Sequence, residues 1–436
     1  MFLSRIRRFP GVEQPPHQSL GLAAPSPLHR EPMPADPLQI PEPEHTPPAN
    51  ARLALSEAFA PTRPQTDARR FVGREAQLAR VRRALAEERA HVVLHGEGGW
   101  GKTSLVNMVA EAARATGVMV ARYACSAEDD FDSILRGLAR SLPASFLLMP
   151  PPAAAGGEEA AEGCESALPP GRLRPHDLSR LLPRLTGQEL ILVVDEFDRV
   201  PGEETRTRLA DTIKLASDMR LALSFVVVGV AEDLEALLGR HPSIHRQVIG
   251  VRLPLLSEDE VEDIIERGAG EAGVTFPAPV RSRIRSVARG VPYVAQLLAL
   301  RAGQAALERG VRKVTIGDLD AALASAIEET HPRVVELYGA LVEGGRNRAM
   351  AALLRAVATS PQDAFGRFRA EGAEEEPWIG GTQVDPDLWS RLIETGTVRA
   401  ARGGTAEMFV FSDAALHQYL LMRAGRGNAG AAVQQP

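Results

Sequence analysis

Leu94–Leu105 reads LHGEGGWGKTSL, and the reading of the fold turns on it. Within it, Gly96-Glu97-Gly98-Gly99-Trp100-Gly101-Lys102-Thr103 satisfies the pattern G-x-x-x-x-G-K-[ST]. Glycines permit backbone angles that turn consecutive N–H groups inward on a polyphosphate. A helix beginning directly afterwards, through Ser104, aims the positive end of its dipole at the same anion. Lys102 is placed to reach the β- and γ-phosphates of a nucleotide, and the Thr103 hydroxyl to ligate Mg²⁺. Lysine occurs only at Lys102, Lys214 and Lys313 among 50 basic residues, so the lysine at the one position the motif requires is not compositional habit. Trp100, one of three tryptophans, reads as loop packing, as a wall beside a nucleotide, or as a contact to a neighbouring domain.

Outward from this loop, AHVVLHG reads as a short buried strand entering it, and TSLVNMVAEAARATG as a helix that ends at Gly117. VMVARYAC, ELILVVDEFD and LALSFVVVGV are further strands, with helices between them. Strands alternating with helices predict an α/β core with a parallel sheet covered on both faces, over 67–253. In ILVVDEFD a buried strand ends in Asp195 and Glu196. A carboxylate there, beside a phosphate loop, is a metal anchor, and the next one can orient or deprotonate water. Asp198 and Arg199 read as surface residues.

After about Leu253 the strands stop. Four helices over 254–330 predict a small helical domain, the first with a capping box at Ser257 and Glu260. From 331 to 426, helices followed by a hairpin turning at Gly403-Gly404 suggest a winged-helix-like module. Residues 1–66 are crowded with proline and read as a disordered tail; 150–171 reads as a flexible insertion and 427–436 as a second tail.

The chain has 436 residues, 44% of them hydrophobic, and a net charge of −6, the composition of a multi-domain globular protein rather than a general nucleic-acid binder. Two cysteines without metal-type spacing fit a reducing cytoplasm. No run of about 18 uncharged apolar residues suggests a membrane span.

Together these residues resemble the AAA+ and STAND superfamily of P-loop ATPases, especially initiator-type and related bacterial ATP-binding proteins. FVGRE, Phe71–Glu75, resembles the segment that cradles adenine in that group, which assigns Val72 and Gly73 to the nucleotide. RGVPYVAQLL resembles the Gly-x-Pro motif at the base of the helical lid, with Gly290 and Pro292. The resemblance implies ATP and Mg²⁺ as ligands, Lys102 and Glu196 as catalytic residues, and Thr103 and Asp195 at the metal. It offers Arg246, after the helix that follows SFVVVGVAEDL, either as an arginine finger acting on a neighbouring subunit or as a surface arginine. Two departures stand out. Gly229 and Val230 occupy the strand end where many relatives place a polar sensor-1 residue, and no sensor-2 arginine is evident, Arg289 being merely adjacent to the Gly-x-Pro motif. The implied function is a slow ATPase switch that regulates a protein partner, with self-association. The alternatives are a nucleotide-sensing module with negligible turnover and a DNA-handling ATPase, for which Arg399 and Arg402 in the wing are the suggestive pair.

Overall fold

The computed structural model describes residues 49–148, 163–185, 189–239, 244, 246–343, 347–371, 377–401 and 407–427. The chain opens with α1 (Ala49–Ala58) and α2 (Glu75–Ala86), and then enters the core: β1 (His91–His95), α3 (Lys102–Ala115), β2 (Met119–Ala124), α4 (Phe131–Arg140), α5 (Pro175–Leu181), β3 (Leu190–Asp195), α6 (Glu203–Asp218), β4 (Leu223–Gly229), α7 (Leu234–Leu238) and β5 (Val248–Arg252). The five strands pair in the order β2-β3-β4-β1-β5, and every pair is parallel. β1 and β3 are buried at every residue, as expected of strands covered on both faces. The fold class is therefore as the sequence predicts. The loop after β1 lies where the strand order reverses, because β2 is placed beyond β3 and β4; this is the crevice where open α/β sheets hold ligands.

Four helices follow: α8 (Glu258–Ala272), α9 (Ala278–Ala288), α10 (Pro292–Glu308) and α11 (Ile316–Glu328). The Ser257–Glu260 capping box forms, with Ser257 N–H donating to Glu260 Oε2 at 2.7 Å and Glu260 N–H to Ser257 Oγ at 3.2 Å. The C-terminal module comprises α12 (Pro332–Val342), α13 (Asn347–Thr359), β6 (Phe368–Glu371), β7 (Trp378–Ile379), β8 (Thr382–Gln383), α14 (Pro386–Glu394), β9 (Val398–Ala400), β10 (Met408–Phe411) and α15 (Ala414–Gly427). Its strands form one antiparallel sheet in the order β8-β7-β6-β10-β9. The β9–β10 hairpin is present, whereas the turn at Gly403-Gly404 and Arg402 fall outside the described residues. The expected two-stranded wing is part of a larger sheet, since Phe368 of β6 joins the cluster of Phe409, Phe411 and Trp389 rings.

Two further boundaries need correction. The proline-rich segment is not a tail up to residue 66: α1 packs on α8 and α10. Leu55 and Phe59 are fully buried. Helix glycines make room for them, because a Cβ at Gly268 would lie 2.4 Å from the Phe59 ring and one at Gly303 would lie 2.8 Å from Leu55. Apolar residues at 51, 55, 58 and 59 outweigh the prolines on either side. Nor is 150–171 wholly a flexible insertion. Cys164 and Leu168 are buried in the core, and Glu165 pairs with Arg140 at 2.7 Å. Residues 149–162, 1–48 and 428–436, where the remaining insertion and tail readings fall, lie outside the described residues.

Replacing Phe59 by alanine should cost about 3–5 kcal/mol in urea unfolding, the usual price of a buried ring; an unchanged midpoint would show that α1 is not part of the folded body. A second expectation concerns pH. His91 Nδ1 accepts the Phe225 N–H at 2.9 Å, which requires the neutral ring, and burial lowers its pKa to about 4. Burial does the same to His417, which stacks on Phe411 at 4.6 Å. The unfolded chain takes up these protons below about 6.5 and the folded chain only near 4, so stability is present above 6.5 and lost as pH falls towards 4, by up to about 3 kcal/mol per ring. In His91→Asn, which keeps an acceptor but does not titrate, the fall in melting temperature between pH 6.5 and 4 should be smaller.

Candidate functional site

β1 delivers the chain into the glycine loop, and α3 leaves it at Lys102. Gly99 and Gly101 adopt φ of 79° and 88°, and Gly101 is the left-handed residue from which α3 starts. Lys102 Nζ donates to the loop's own carbonyls, Gly96 O at 2.9 Å and Glu97 O at 2.8 Å. Burial lowers the Lys102 pKa, opposed by the nearby carboxylates of Asp198, Glu97, Asp195 and Glu196. Burial likewise raises that of Glu97, against the pull of Lys102.

Beside the loop, β3 ends in the buried carboxylate of Asp195. Its Oδ2 accepts from Thr103 Oγ1 at 3.3 Å and from Arg122 Nη2 at 2.5 Å, and its Oδ1 accepts the Glu196 N–H at 2.9 Å. Arg122 comes from β2, the neighbouring strand. Thr103 and Asp195 thus put two hard oxygen donors side by side, a set that suits Mg²⁺ when phosphate and water complete the shell; Arg122 shares one of those oxygens. Glu196 turns through φ 54°, which carries its carboxylate outward to Arg199 Nη1 at 2.8 Å.

A cavity of about 190 Å³ opens between the loop and α10, lined by Gly99, Gly101, Lys102, Thr103 and Ser104 on one side and Pro292, Tyr293 and Gln296 on the other. Its third wall is Ala60–Gln65. Gln65 N–H donates to Ser104 Oγ at 3.0 Å, and Gln65 O accepts from Asn107 Nδ2 at 3.1 Å. Asn107 Oδ1 in turn accepts from Arg122 Nη1 at 2.5 Å, so a polar chain runs from residue 65 to Asp195.

Several predicted residues are placed differently. Val72 and Gly73 do not line this cavity; Gly73 is pressed against α8, where a Cβ would lie 2.7 Å from Glu260 Cδ. Arg74, from the same motif, does reach the loop: its Nη2 donates to Trp100 O at 3.2 Å, and burial lowers its pKa to about 10. The buried Trp100 ring is not a wall of the cavity. It faces the C-terminal module, close enough to Gly366 that a Cβ there would lie 3.3 Å from Cζ2. Gly96, Glu97 and Gly98 are in the loop but outside the cavity lining. Glu97 faces a small junction with Phe365 and His417, and Gly98 O accepts from Gln418 Nε2 of α15 at 3.1 Å. Arg246 is exposed in the turn before β5, away from the cavity lining. Arg289 bonds the carbonyls of Thr359 and Ser360 instead of reaching the loop.

Sequence reasoning also missed three groups. Arg122 and the Ala60–Gln65 wall are the first two. The third is Asp198, read as a surface residue. Its Oδ1 accepts the Val230 N–H at 2.8 Å, and a Cβ on Gly229 would lie 2.9 Å from that oxygen. Where the strand end lacks a polar side chain, a carboxylate from the turn after β3 stands in the space. The signals were an arginine interrupting an apolar strand and a third acid in DEFD, neither decisive without the pairing.

Comparison with known proteins agrees with this geometry. Residues 70–228 match the model of the AAA ATPase domain. The chain is similar to the Holliday junction branch migration complex subunit RuvB of Synechococcus sp. (31% identity over 160 residues, 34% of this chain and 45% of that protein) and of Granulibacter bethesdensis (27% over 297 residues, 64% and 71%). It thus spans under half the length of the first of these relatives and about 70% of the second. Among solved structures, it resembles the Aeropyrum pernix ORC1 protein in complex with DNA (TM-score 0.44, 19% identity, 88% of this chain and 98% of that one) and a Walker-type ATPase of Pyrococcus abyssi (TM-score 0.49, 16%, 83% and 99%). With its glycine loop and its acidic strand end, the segment 70–228 is an AAA ATPase domain built around a P-loop.

Proposed function

We propose that this protein is a slow ATP-operated switch, in which nucleotide bound between core and lid sets the position of the C-terminal module. The observation that carries the reading is the Gln418–Gly98 hydrogen bond. The lid touches the next residue, with Tyr293 N–H donating to Gly99 O at 3.4 Å. Lys102 holds the carbonyls of Gly96 and Glu97 and must leave them to reach a phosphate. Any reorientation of the 96–99 peptides therefore acts on two modules at once, which gives nucleotide a differential contact with the two arrangements.

In this reading residues 96–104 hold the phosphates, with Pro292 and the 60–65 wall flanking the rest of the nucleotide. Thr103 and Asp195 hold Mg²⁺, which when bound neutralises phosphate charge. Glu196 orients and deprotonates the attacking water, and Arg199 restrains it. Asp198 takes the sensor-1 position. Arg246 acts only across a subunit interface, so turnover per subunit rises with assembly. The C-terminal module, winged-helix-like in its β9–β10 hairpin, serves protein contacts, in the manner of STAND proteins. Duplex DNA is the second ligand to test, because both RuvB relatives bear the name of a DNA junction complex; against it, Arg399 is paired with Glu232 of the core. No helix among the described residues is long and apolar enough to cross a membrane, and a cytoplasmic protein is the simplest reading.

Mg·ATP binding and turnover, measured against protein concentration with and without duplex DNA, test this. Lys102→Ala should weaken ATP binding by roughly 10–100-fold, the loss of a charge-assisted contact; equal affinity would sink the reading. Glu196→Gln should bind ATP normally and turn over roughly 100-fold or more slowly. Gln418→Ala, which removes one hydrogen bond of about 1 kcal/mol, should raise ATP affinity by roughly fivefold. An unchanged affinity there would leave an ATPase but not this switch.

A further inference from the structure

A second cavity, of about 210 Å³, lies at the opposite end of the sheet from the glycine loop, where β3 and β4 begin and α2 and α3 end. Its floor is apolar, formed by Leu85, Val109, Ala113, Ile191 and Leu223. The residues that line its rim include Arg82, Arg89 and Arg220, together with Glu189, whose carboxylate faces Arg89. The volume is below the ~300–1,000 Å³ of pockets that take drug-sized ligands, so the ligand it fits is small.

A second observation points to the same place. Only four non-glycine residues among those described have positive φ: Arg89, Glu196, Arg220 and Arg289. Left-handed backbone is costly for residues with a Cβ and persists chiefly where the side chain has work to do. Glu196 belongs to the site above, and Arg289 joins lid to C-terminal module. The remaining two, Arg89 and Arg220, both at φ 50°, line this one cavity. Each sits in the turn just beyond a helix, α2 or α6, a place where glycine is favoured. At other helix ends the chain does use glycine, at Gly117, Gly273, Gly310 and Gly396 among them.

We propose that this cavity is a binding site for a small apolar organic anion, a carboxylate or sulfonate on an aromatic or short acyl body. The body lies on the floor against α3, and the charge meets Arg89 and Arg220 in the bidentate fashion that guanidinium favours. Its occupant touches Val109 and Ala113 of the helix that begins at Lys102, although the proposal stands without the ATPase reading.

The test is isothermal titration of the full-length chain, without nucleotide, using 4-phenylbutyrate and its neutral amide as probes. The acid should bind at least tenfold more tightly than the amide. The Arg89→Gly, Arg220→Gly double variant should lose at least tenfold in affinity for the acid, with a melting temperature equal to or above wild type, because glycine relieves both turns. Ala113→Phe, which fills the floor and keeps both arginines, should also abolish binding. No heat of binding by wild type up to about 10 mM acid, equal affinity for acid and amide, or undiminished affinity in the double variant would each overturn the proposal. Because ATP is absent from these titrations, their failure leaves the nucleotide reading untouched.

Discussion

The carboxylate of Asp195 is the constraint around which the site is organised. It is 3% exposed, and a charge buried that deeply is tolerated only when its oxygens are bonded. The partners come from three directions: Thr103 from the helix after the glycine loop, Arg122 from the adjacent strand, and the backbone N–H of Glu196. Removing Arg122 would leave a buried charge short of its strongest partner, so this arginine is as much a part of the site as the acid. Through Asn107 the same network reaches Gln65, which fixes the wall of the cavity formed by the segment before α2. One buried charge thus ties four separate stretches of chain to the loop.

The loop is held from its other side by Arg74, which precedes the core, and by the modules that follow it. Arg74 bonds Trp100 O, the lid backbone bonds Gly99 O, and Gln418 bonds Gly98 O. A glycine-rich segment has little intrinsic preference for one conformation, so its shape is set by what bonds its carbonyls. Three of those partners lie outside the β1–α3 unit, and Gln418 is 320 residues further along the chain. A loop with such partners cannot move independently of them.

This explains which parts were legible in the sequence. The glycine loop, the Asp195–Glu196 strand end, the parallel sheet and the Ser257–Glu260 box are local patterns, in which residue type and spacing carry the chemistry. α1 was hidden because prolines crowd both flanks while its evidence, Leu55 and Phe59 facing Gly268 and Gly303, lies over 200 residues away. The five-stranded C-terminal sheet was hidden because β7 and β8 are two residues each, too short for any periodicity. Trp100 could be placed against a domain only once Gly366 was seen beside it.

Gly229 shows how an apparent loss in a sequence can be a rearrangement in space. Read along β4, the strand ends in glycine and valine, with no side chain to contact a reacting group. Read in three dimensions, the glycine is what admits Asp198, since any Cβ would collide with that carboxylate. The Val230 N–H then fixes its position. Asp198 is also the carboxylate that acts most strongly on Lys102, ahead of Glu97, Asp195 and Glu196. A polar group is therefore present at the strand end, but it is anionic and arrives from the turn after β3. A carboxylate there repels phosphate oxygens directly and meets them through a cation or a bridging water. Under the proposed switch, that chemistry favours holding a nucleotide with its metal over rapid release of its γ-phosphate, which is the physical reason the switch is proposed to be slow.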